Sequence, residues 1–484
     1  MASVPELILL HGEAVETHEA VTEDGHLLHL HRLPSTGPPV LLAHGLLCSS
    51  YCWVTSPSSL AFHLARRGFD VWLGNFRGTG DSRGHCRLSP DTDPEFWRFT
   101  LHELGVFDLP AMLAAVTAAT GSTSISFVGH SMATTAFLIL ASSRPEVAAV
   151  VGRAVLLAPV VEPHTMTSRI AQLAPLHRFY RWAAELVGLL QILPSSLLLE
   201  RVTWDHLLQH ILRRSLPPGH ADAATVARIC RHARTSRTSV YTVLHYAQMI
   251  AGRQLAAYDW GDAKENTRRY GSRRPPVYGL EQVQVETAVF WSSRDSLSSR
   301  GDMERVVRGL ARVVACSKED LGHLDYLWGG PAVAGLYSRI ADLLEGDQLQ
   351  EGMLKEDAEP KPSPDTPDSP DTPSTPDTPS TPDTPSAPGT IASSDTSAIT
   401  DTQASTPEPA GAPLKHSCYQ KQATSVVHNK SSEEQAFVDI PNYPETYNDT
   451  TIHTTTESLV LDNTNNVDNL CTVETPLIPS RQII

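Results

Sequence analysis

Short apolar runs and helical periodicities alternate along the first 345 residues of this chain. Thr17 to Leu33 alternates around Asp24-Gly25, with Val21 before the pair and Leu27, Leu28 and Leu30 after it, which predicts a β-hairpin. Pro39 to Leu42 is a short apolar run that ends at Ala43-His44-Gly45-Leu46. Leu60, Phe62, Leu64 and Ala65 predict a helix closed by Gly68, Phe69 to Leu73 the next strand, and Phe96 to Thr120 a long amphipathic segment closed by Gly121. Ile125, Phe127 and Val128 then read as a buried strand, and Ala136, Phe137, Ile139 and Leu140 recur at helical spacing. Arg153 to Val160, Thr287 to Trp291 and Arg312 to Cys316 supply further strands, and Ala332 to Leu344 a final helix.

Strands alternating with helices on this scale predict the α/β class, a mainly parallel central sheet with helices on both faces. Between Val161 and Tyr258 the rhythm is helical without clear strands, so this stretch reads as a cap inserted over the sheet. Ligands on such sheets sit beyond the carboxyl ends of the strands.

Charge divides the chain in two. From Gly346 onward there are 22 acidic and 6 basic residues, which carry the entire net charge of −16; residues 1–345 are balanced at 32 of each sign. The first part has the apolar content to bury a full core. The second lacks tryptophan and apolar clusters and cannot offset its ordering entropy, so 346–484 is expected to be a disordered acidic tail. Pro364 opens near-identical Pro-Asp-Thr-Pro-Ser-Thr units that run to about Pro388, the composition of an extended spacer. It reads as an unmodified linker, a mucin-like stalk, or a substrate for phosphorylation at Ser-Pro and Thr-Pro; Asn429-Lys430-Ser431 and Asn448-Asp449-Thr450 are glycosylation acceptors if the chain is exported.

No long basic stripe is present, which argues against a nucleic-acid partner. The seven cysteines are scattered and odd in number, neither a disulfide framework nor a metal-ligand spacing. Leu7 to Leu10 is too short for a signal peptide, and Leu186 to Leu199, broken by Gln191 and Pro194, is short of a membrane span. Taken literally, the sequence has no export signal and no transmembrane segment, which reads as cytoplasmic if complete or as a truncated amino terminus.

The chemistry centres on Val128-Gly129-His130-Ser131-Met132-Ala133, a serine between a strand and a helix. That is the setting of a nucleophile elbow, whose usual form is G-x-S-x-G because the turn is strained; here Ala133 stands in the second small position. A serine hydroxyl needs a base, and the base needs an orienting group. Ser131, Asp295 and His323 fall in the order Ser, acid, His, and each follows an apparent strand. Asp302 competes with Asp295 for the acid, and His323 is one of 21 histidines. The backbone N–H groups of Met132, after the nucleophile, and Leu46, in the loop after the third strand, are the candidate oxyanion donors.

His44-Gly45-Leu46-Leu47, Ser59-Leu60-Ala61-Phe62, Asp70-Val71-Trp72-Leu73-Gly74-Asn75, Arg77-Gly78, Phe96-Trp97, Tyr258-Asp259-Trp260-Gly261 and His323-Leu324-Asp325-Tyr326 with Trp328-Gly329 resemble, in order and spacing, the acid lipase family, which includes gastric and lysosomal acid lipases and insect digestive lipases. The resemblance runs from about Glu13 to Leu344. It implies an α/β-hydrolase fold over 1–345 with a helical cap at about 161–258. It also implies hydrolysis of triacylglycerols or cholesteryl esters at a lipid–water interface without metal or cofactor, in a secreted or lysosomal setting. The matching positions imply Ser131 as nucleophile, Asp295 as acid and His323 as base. The chain departs from the family's G-H-S-Q-G at Met132 and Ala133, its cap looks shortened between about Arg201 and Arg237, and only Cys230 matches a family cap cysteine. Two other functions stay open: a hydrolase-fold binding module without turnover, and a serine peptidase or carboxylesterase for small soluble esters.

Overall fold

The computed structural model describes residues 2–161, 174–192, 232, 236–328, 333–346 and 425–426. Most of the stretch from Arg201 to Arg237, the second half of the Leu186 to Leu199 run, Cys230 and nearly all of the acidic tail lie outside these residues.

Ten strands form one sheet among the described residues. They are β1 (Glu16–Val21), β2 (His26–Leu33), β3 (Pro39–Ala43), β4 (Asp70–Gly74), β5 (Gly84–His85), β6 (Ile125–His130), β7 (Val151–Leu157), and, beyond the cap, Glu286–Ser292, Val313–Glu319 and Ser425–Val426. Between β7 and Glu286 lies a separate two-stranded ribbon, β8 (Gln191–Ile192) with β9 (Thr238–Ser239), so the last three sheet strands are β10, β11 and β12. The order is β11-β10-β7-β6-β3-β4-β2-β1-β12, with β5 beside β2. From β11 to β4 every pairing is parallel, and β2, β1, β5 and β12 add antiparallel strands. The expected mainly parallel α/β sheet is therefore present, with the predicted β1–β2 hairpin at one end.

Strand burial explains why the middle reads as unbroken apolar runs. All five residues of β3 and all five of β4 are buried, because helices cover both faces of a parallel sheet. One apolar cluster contains Leu41, Trp72, Phe127, Leu156 and Val289, and the other contains Val40, Leu42, Val71, Val128 and Phe290, so neighbouring positions on a strand point into opposite layers.

Around the sheet lie α1 (Val4–Leu10), α2 (Leu60–Arg66), α3 (Leu101–Thr120), α4 (Met132–Ser143) and the short α5 (Pro145–Ala148). The segment expected as one helix from Phe96 begins instead at Leu101. Thr100 caps it reciprocally with Glu103, and Pro94–Trp97 before it is a separate 3-10 turn. The helix widens to a π-turn at Leu104–Asp108, just before Pro110. Proline brings no N–H for the Val106 carbonyl, which accepts from the Arg144 guanidinium at 2.9 Å instead. Gly105 lets this turn press on α4, since a Cβ there would stand 2.7 Å from the Ala136 carbonyl oxygen. Although α3 is long and apolar enough to cross a membrane, Leu109, Met112, Leu113 and Val116 are buried in the main core.

The described part of the segment expected as a cap holds α6 (His177–Leu186) and α7 (Val240–Gly252), together with the β8–β9 ribbon that periodicity missed, because two residues are too few to show alternation. Three further helices, α8 (Ala263–Tyr270), α9 (Arg300–Gly309) and α10 (Asp325–Trp328), precede α11 (Ala334–Glu345). The last corresponds to the predicted final helix and stops at Gly346, whose φ of 91° suits glycine.

Candidate active site

Ser131 stands between β6 and α4 with φ 52° and ψ −112°, a conformation that costs a non-glycine residue about 1–3 kcal/mol. The strain is held on both sides. Ser131 N–H donates to the Leu157 carbonyl on β7 at 3.0 Å, and its own carbonyl accepts from Thr134 N–H at 2.9 Å. The Ala133 methyl finds room: it is wholly buried in the main core, while at Gly129, one turn away, a Cβ would stand 2.8 Å from the Phe127 ring. The serine is thus presented above the carboxyl ends of the parallel strands.

The other two candidates reach it from later strand ends. Asp295 follows β10, and His323 lies in the loop between β11 and α10. His323 Nε2 is 2.8 Å from Ser131 Oγ, and His323 Nδ1 is 2.7 Å from Asp295 Oδ2. All three are buried, and residues 192 positions apart meet in one hydrogen-bonded line. Because a carboxylate accepts, Nδ1 carries the proton and Nε2 offers its lone pair to the serine hydroxyl. The second oxygen of Asp295 accepts the Leu297 N–H at 2.8 Å, which fixes the carboxylate's orientation. Buried Asp325 accepts the Gly322 N–H at 2.7 Å and so shapes the loop that carries the histidine.

The rival carboxylate is occupied elsewhere. Asp302 is the third residue of α9, where its oxygens meet the Ser299 backbone N–H and the Arg305 guanidinium. The pattern Ser299-x-x-Asp302 was a legible capping signal.

The loop after β3 passes directly against the serine. A Cβ on Gly45 would lie 3.0 Å from His130 Nδ1 and 3.2 Å from Ser131 Cβ, so any side chain there would crowd both as the backbone leads to Leu46. Met132 is the first residue of α4, where helix N–H groups lack intrahelical acceptors.

Two buried histidines that periodicity did not single out for function brace these loops. His44 donates from Nδ1 to the Gly45 carbonyl at 2.9 Å and accepts the Phe76 N–H on Nε2 at 3.2 Å. His130 donates from Nε2 to the His323 carbonyl at 2.9 Å. Burial lowers His44 to about 4; burial, then the neighbouring His323, lowers His130 to about 3, so both stay neutral near pH 7. Asn75 completes the bracing, accepting the Ser50 N–H at 2.9 Å and donating to the His29 carbonyl at 3.1 Å.

A strand-end serine, carboxylate and imidazole in this chain order sit on a parallel sheet, and sequence comparison addresses the fold and the family independently. Residues 38–330 match the model of the alpha/beta hydrolase fold, and residues 4–57 match a partial alpha/beta-hydrolase lipase region. A lysosomal acid lipase/cholesteryl ester hydrolase from Macaca fascicularis is 34% identical, covering 71% of this chain and 90% of that protein. Its counterpart from Homo sapiens is 33% identical with the same coverage. A gastric triacylglycerol lipase from Mus musculus is 30% identical, covering 71% of this chain and 92% of its own. The chain belongs to the acid lipase family.

With its family, this acid lipase is a carboxylic ester hydrolase of the α/β-hydrolase fold. Among its described residues, no group of three or more His, Cys, Asp or Glu is placed to hold a metal ion. A cavity of about 450 Å3, lined by Arg178, Arg181, Gln248, Met249 and Asp259 among others, contains none of the three candidate catalytic residues.

Proposed function

We propose that this acid lipase hydrolyses neutral-lipid esters, triacylglycerols or cholesteryl esters, through an acyl-enzyme on Ser131. The observation that carries the reading is the unbroken line from Ser131 Oγ to His323 Nε2 and from His323 Nδ1 to Asp295, at 2.8 and 2.7 Å. As Oγ attacks the ester carbonyl, Nε2 takes its proton, and Asp295 holds the imidazolium that results. The Leu46 and Met132 N–H groups then face the developing oxyanion, with the amino terminus of α4 adding its dipole. His323 passes its proton to the leaving alcohol. Water, deprotonated by the same imidazole, attacks the acyl carbonyl and frees the fatty acid.

A lipid–water interface is part of this proposal. Phe179, Tyr180, Trp182 and Leu186 on α6, with Leu176 and Val187 at its ends, are all exposed, an apolar surface concentrated in twelve residues of the cap. The relatives' names supply the neutral-lipid class, and a lysosomal or secreted setting belongs to the same reading.

The test is labelling with a fluorophosphonate probe together with hydrolysis of emulsified triolein, emulsified cholesteryl oleate and a short-chain soluble ester. Ser131→Ala is expected to abolish both labelling and turnover. Labelling that persists in this variant places the nucleophile elsewhere. Turnover of the soluble ester alone makes the protein a carboxylesterase, and no turnover of any makes it a binding module.

A further inference from the structure

Beside the oxyanion loop lies a pair of thiols that ester hydrolysis does not use. Cys48 and Cys52 sit four residues apart, where the loop winds into the 3-10 helix Ser50–Trp53. The segment is tightly folded: Cys48 N–H donates to the Gly45 carbonyl at 3.2 Å, Cys52 N–H donates to the Ser49 carbonyl at 3.0 Å, and Leu47, just before Cys48, has a φ of 57°. Cys52 is buried at 2% exposure within an apolar cluster, and half-buried Cys48 packs against the same cluster. The Cys48 thiol neighbours that of Cys52, and neither is in a disulfide. Burial, reinforced by this contact, holds the Cys52 thiol well above its usual range, which leaves Cys48 as the thiol a soluble oxidant meets first.

We propose that Cys48 and Cys52 form an oxidisable dithiol whose closure to a disulfide displaces the oxyanion loop and lowers turnover. With a hydroperoxide as oxidant, the Cys48 sulfur attacks the peroxide, an S–O bond forms as O–O breaks, and the displaced oxygen leaves as water with the thiol proton. The Cys52 sulfur then attacks the Cys48 sulfenic acid, forming S–S as S–O breaks, and a second water carries away the Cys52 proton. Two thiols lose two electrons, and one hydrogen peroxide becomes two waters. Drawing Cys48 toward Cys52 pulls on the Cys48 N–H bond to the Gly45 carbonyl, which flanks Leu46. The structural part stands alone; the effect on turnover rests on the proposed role of Leu46.

The experiment treats the purified full chain with hydrogen peroxide, alkylates the remaining thiols, and maps the tryptic peptide that carries both cysteines. The peptide is expected to lose two hydrogens and to resist alkylation at both positions. Turnover of a soluble ester should fall by at least about tenfold and return with dithiothreitol. Reversal by dithiothreitol separates this from sulfoxide formation at Met132, which that reagent leaves in place. Cys48→Ala and Cys52→Ala should each keep their turnover under the same peroxide. Alkylation of both thiols after peroxide, an oxidised protein with undiminished turnover, or equal loss in the alanine variants overturns the inference. Fluorophosphonate labelling of the reduced protein at Ser131 shows whether the active-site reading holds independently.

Discussion

Replacing Asp295 by asparagine changes one atom and leaves the volume intact, yet the surroundings dictate how the new amide must lie. In the wild-type chain one carboxylate oxygen accepts the Leu297 N–H at 2.8 Å and the other accepts the proton of His323 Nδ1 at 2.7 Å. In Asp295→Asn, the amide oxygen stays on the Leu297 N–H, so the NH2 group turns to the imidazole. An NH2 can only donate, so Nδ1 must become the acceptor and the proton moves to Nε2, facing Ser131. The imidazole is then unable to take the serine proton, although every heavy atom remains near its place. The expected loss is about 10⁴-fold in kcat, close to 5 kcal/mol of transition-state stabilisation.

The assay is steady-state hydrolysis of a soluble short-chain ester, with thermal unfolding followed in parallel, and Asp302→Asn serves as its counterpart. Asp302 caps α9 through Ser299 and pairs with Arg305, so its substitution should cost about 0.5–2 kcal/mol of stability and leave kcat within a few-fold of wild type. A correctly folded Asp295→Asn enzyme with kcat within tenfold of wild type refutes the reasoning. So does the reverse pattern, in which the Asp302 variant loses turnover and the Asp295 variant loses only stability.

Gly45→Ala drives a methyl to 3.0 Å from His130 Nδ1 and 3.2 Å from Ser131 Cβ; the loop must retreat, and kcat for the soluble ester should fall about 10²-fold with KM little changed, whereas a parallel rise in KM alone would contradict a role in the oxyanion site. Arg77, 1% exposed, binds Asp24 on the β1–β2 turn and Asp108 in the π-turn of α3; Arg77→Met leaves Asp108 buried without its partner and should cost about 3–5 kcal/mol in denaturant unfolding, against no measurable change if the ion group is incidental. Burial lowers His26, His44 and His245 to about 4 and His130 to about 3. Below about 6.5 the unfolded chain protonates these rings while the fold keeps them neutral, so their contribution, complete above pH 6.5, drains away as pH falls toward 4. Burial raises Asp108 to about 6, which opposes the four histidines in part. The melting temperature should therefore drop between pH 6.5 and 4, and a melting temperature that is flat or rising across that window would contradict the assignment.

The sheet was legible because burial on both faces of a parallel strand forces continuous apolar residues, as in Pro39–Ala43 and Asp70–Gly74. What escaped was set by single residues rather than by period. The start of α3 depends on one reciprocal cap at Thr100, and the π-turn follows from Pro110, whose missing N–H leaves the Val106 carbonyl to Arg144. The α1 helix passed unnoticed although Ser3 and Glu6 cap it reciprocally, because its buried face consists of only Val4 and Ile8.

At the site, residue type and chain order were enough to nominate Ser131, Asp295 and His323, but not the groups that hold them. His130 and His44 act on backbone carbonyls, and a carbonyl leaves no mark in a sequence; the His130 partner is 193 residues away. The altered elbow illustrates the same limit from the other side. The role proposed for Met132 uses only its N–H, which every residue but proline has, and Ala133 needs only the space of one methyl, which the core provides. A substitution in a strained motif is therefore to be judged by what the backbone at that position does. By that criterion Gly45, where a Cβ would crowd His130 Nδ1 at 3.0 Å and Ser131 Cβ at 3.2 Å, is less replaceable than the glycine that gives the elbow its usual pattern.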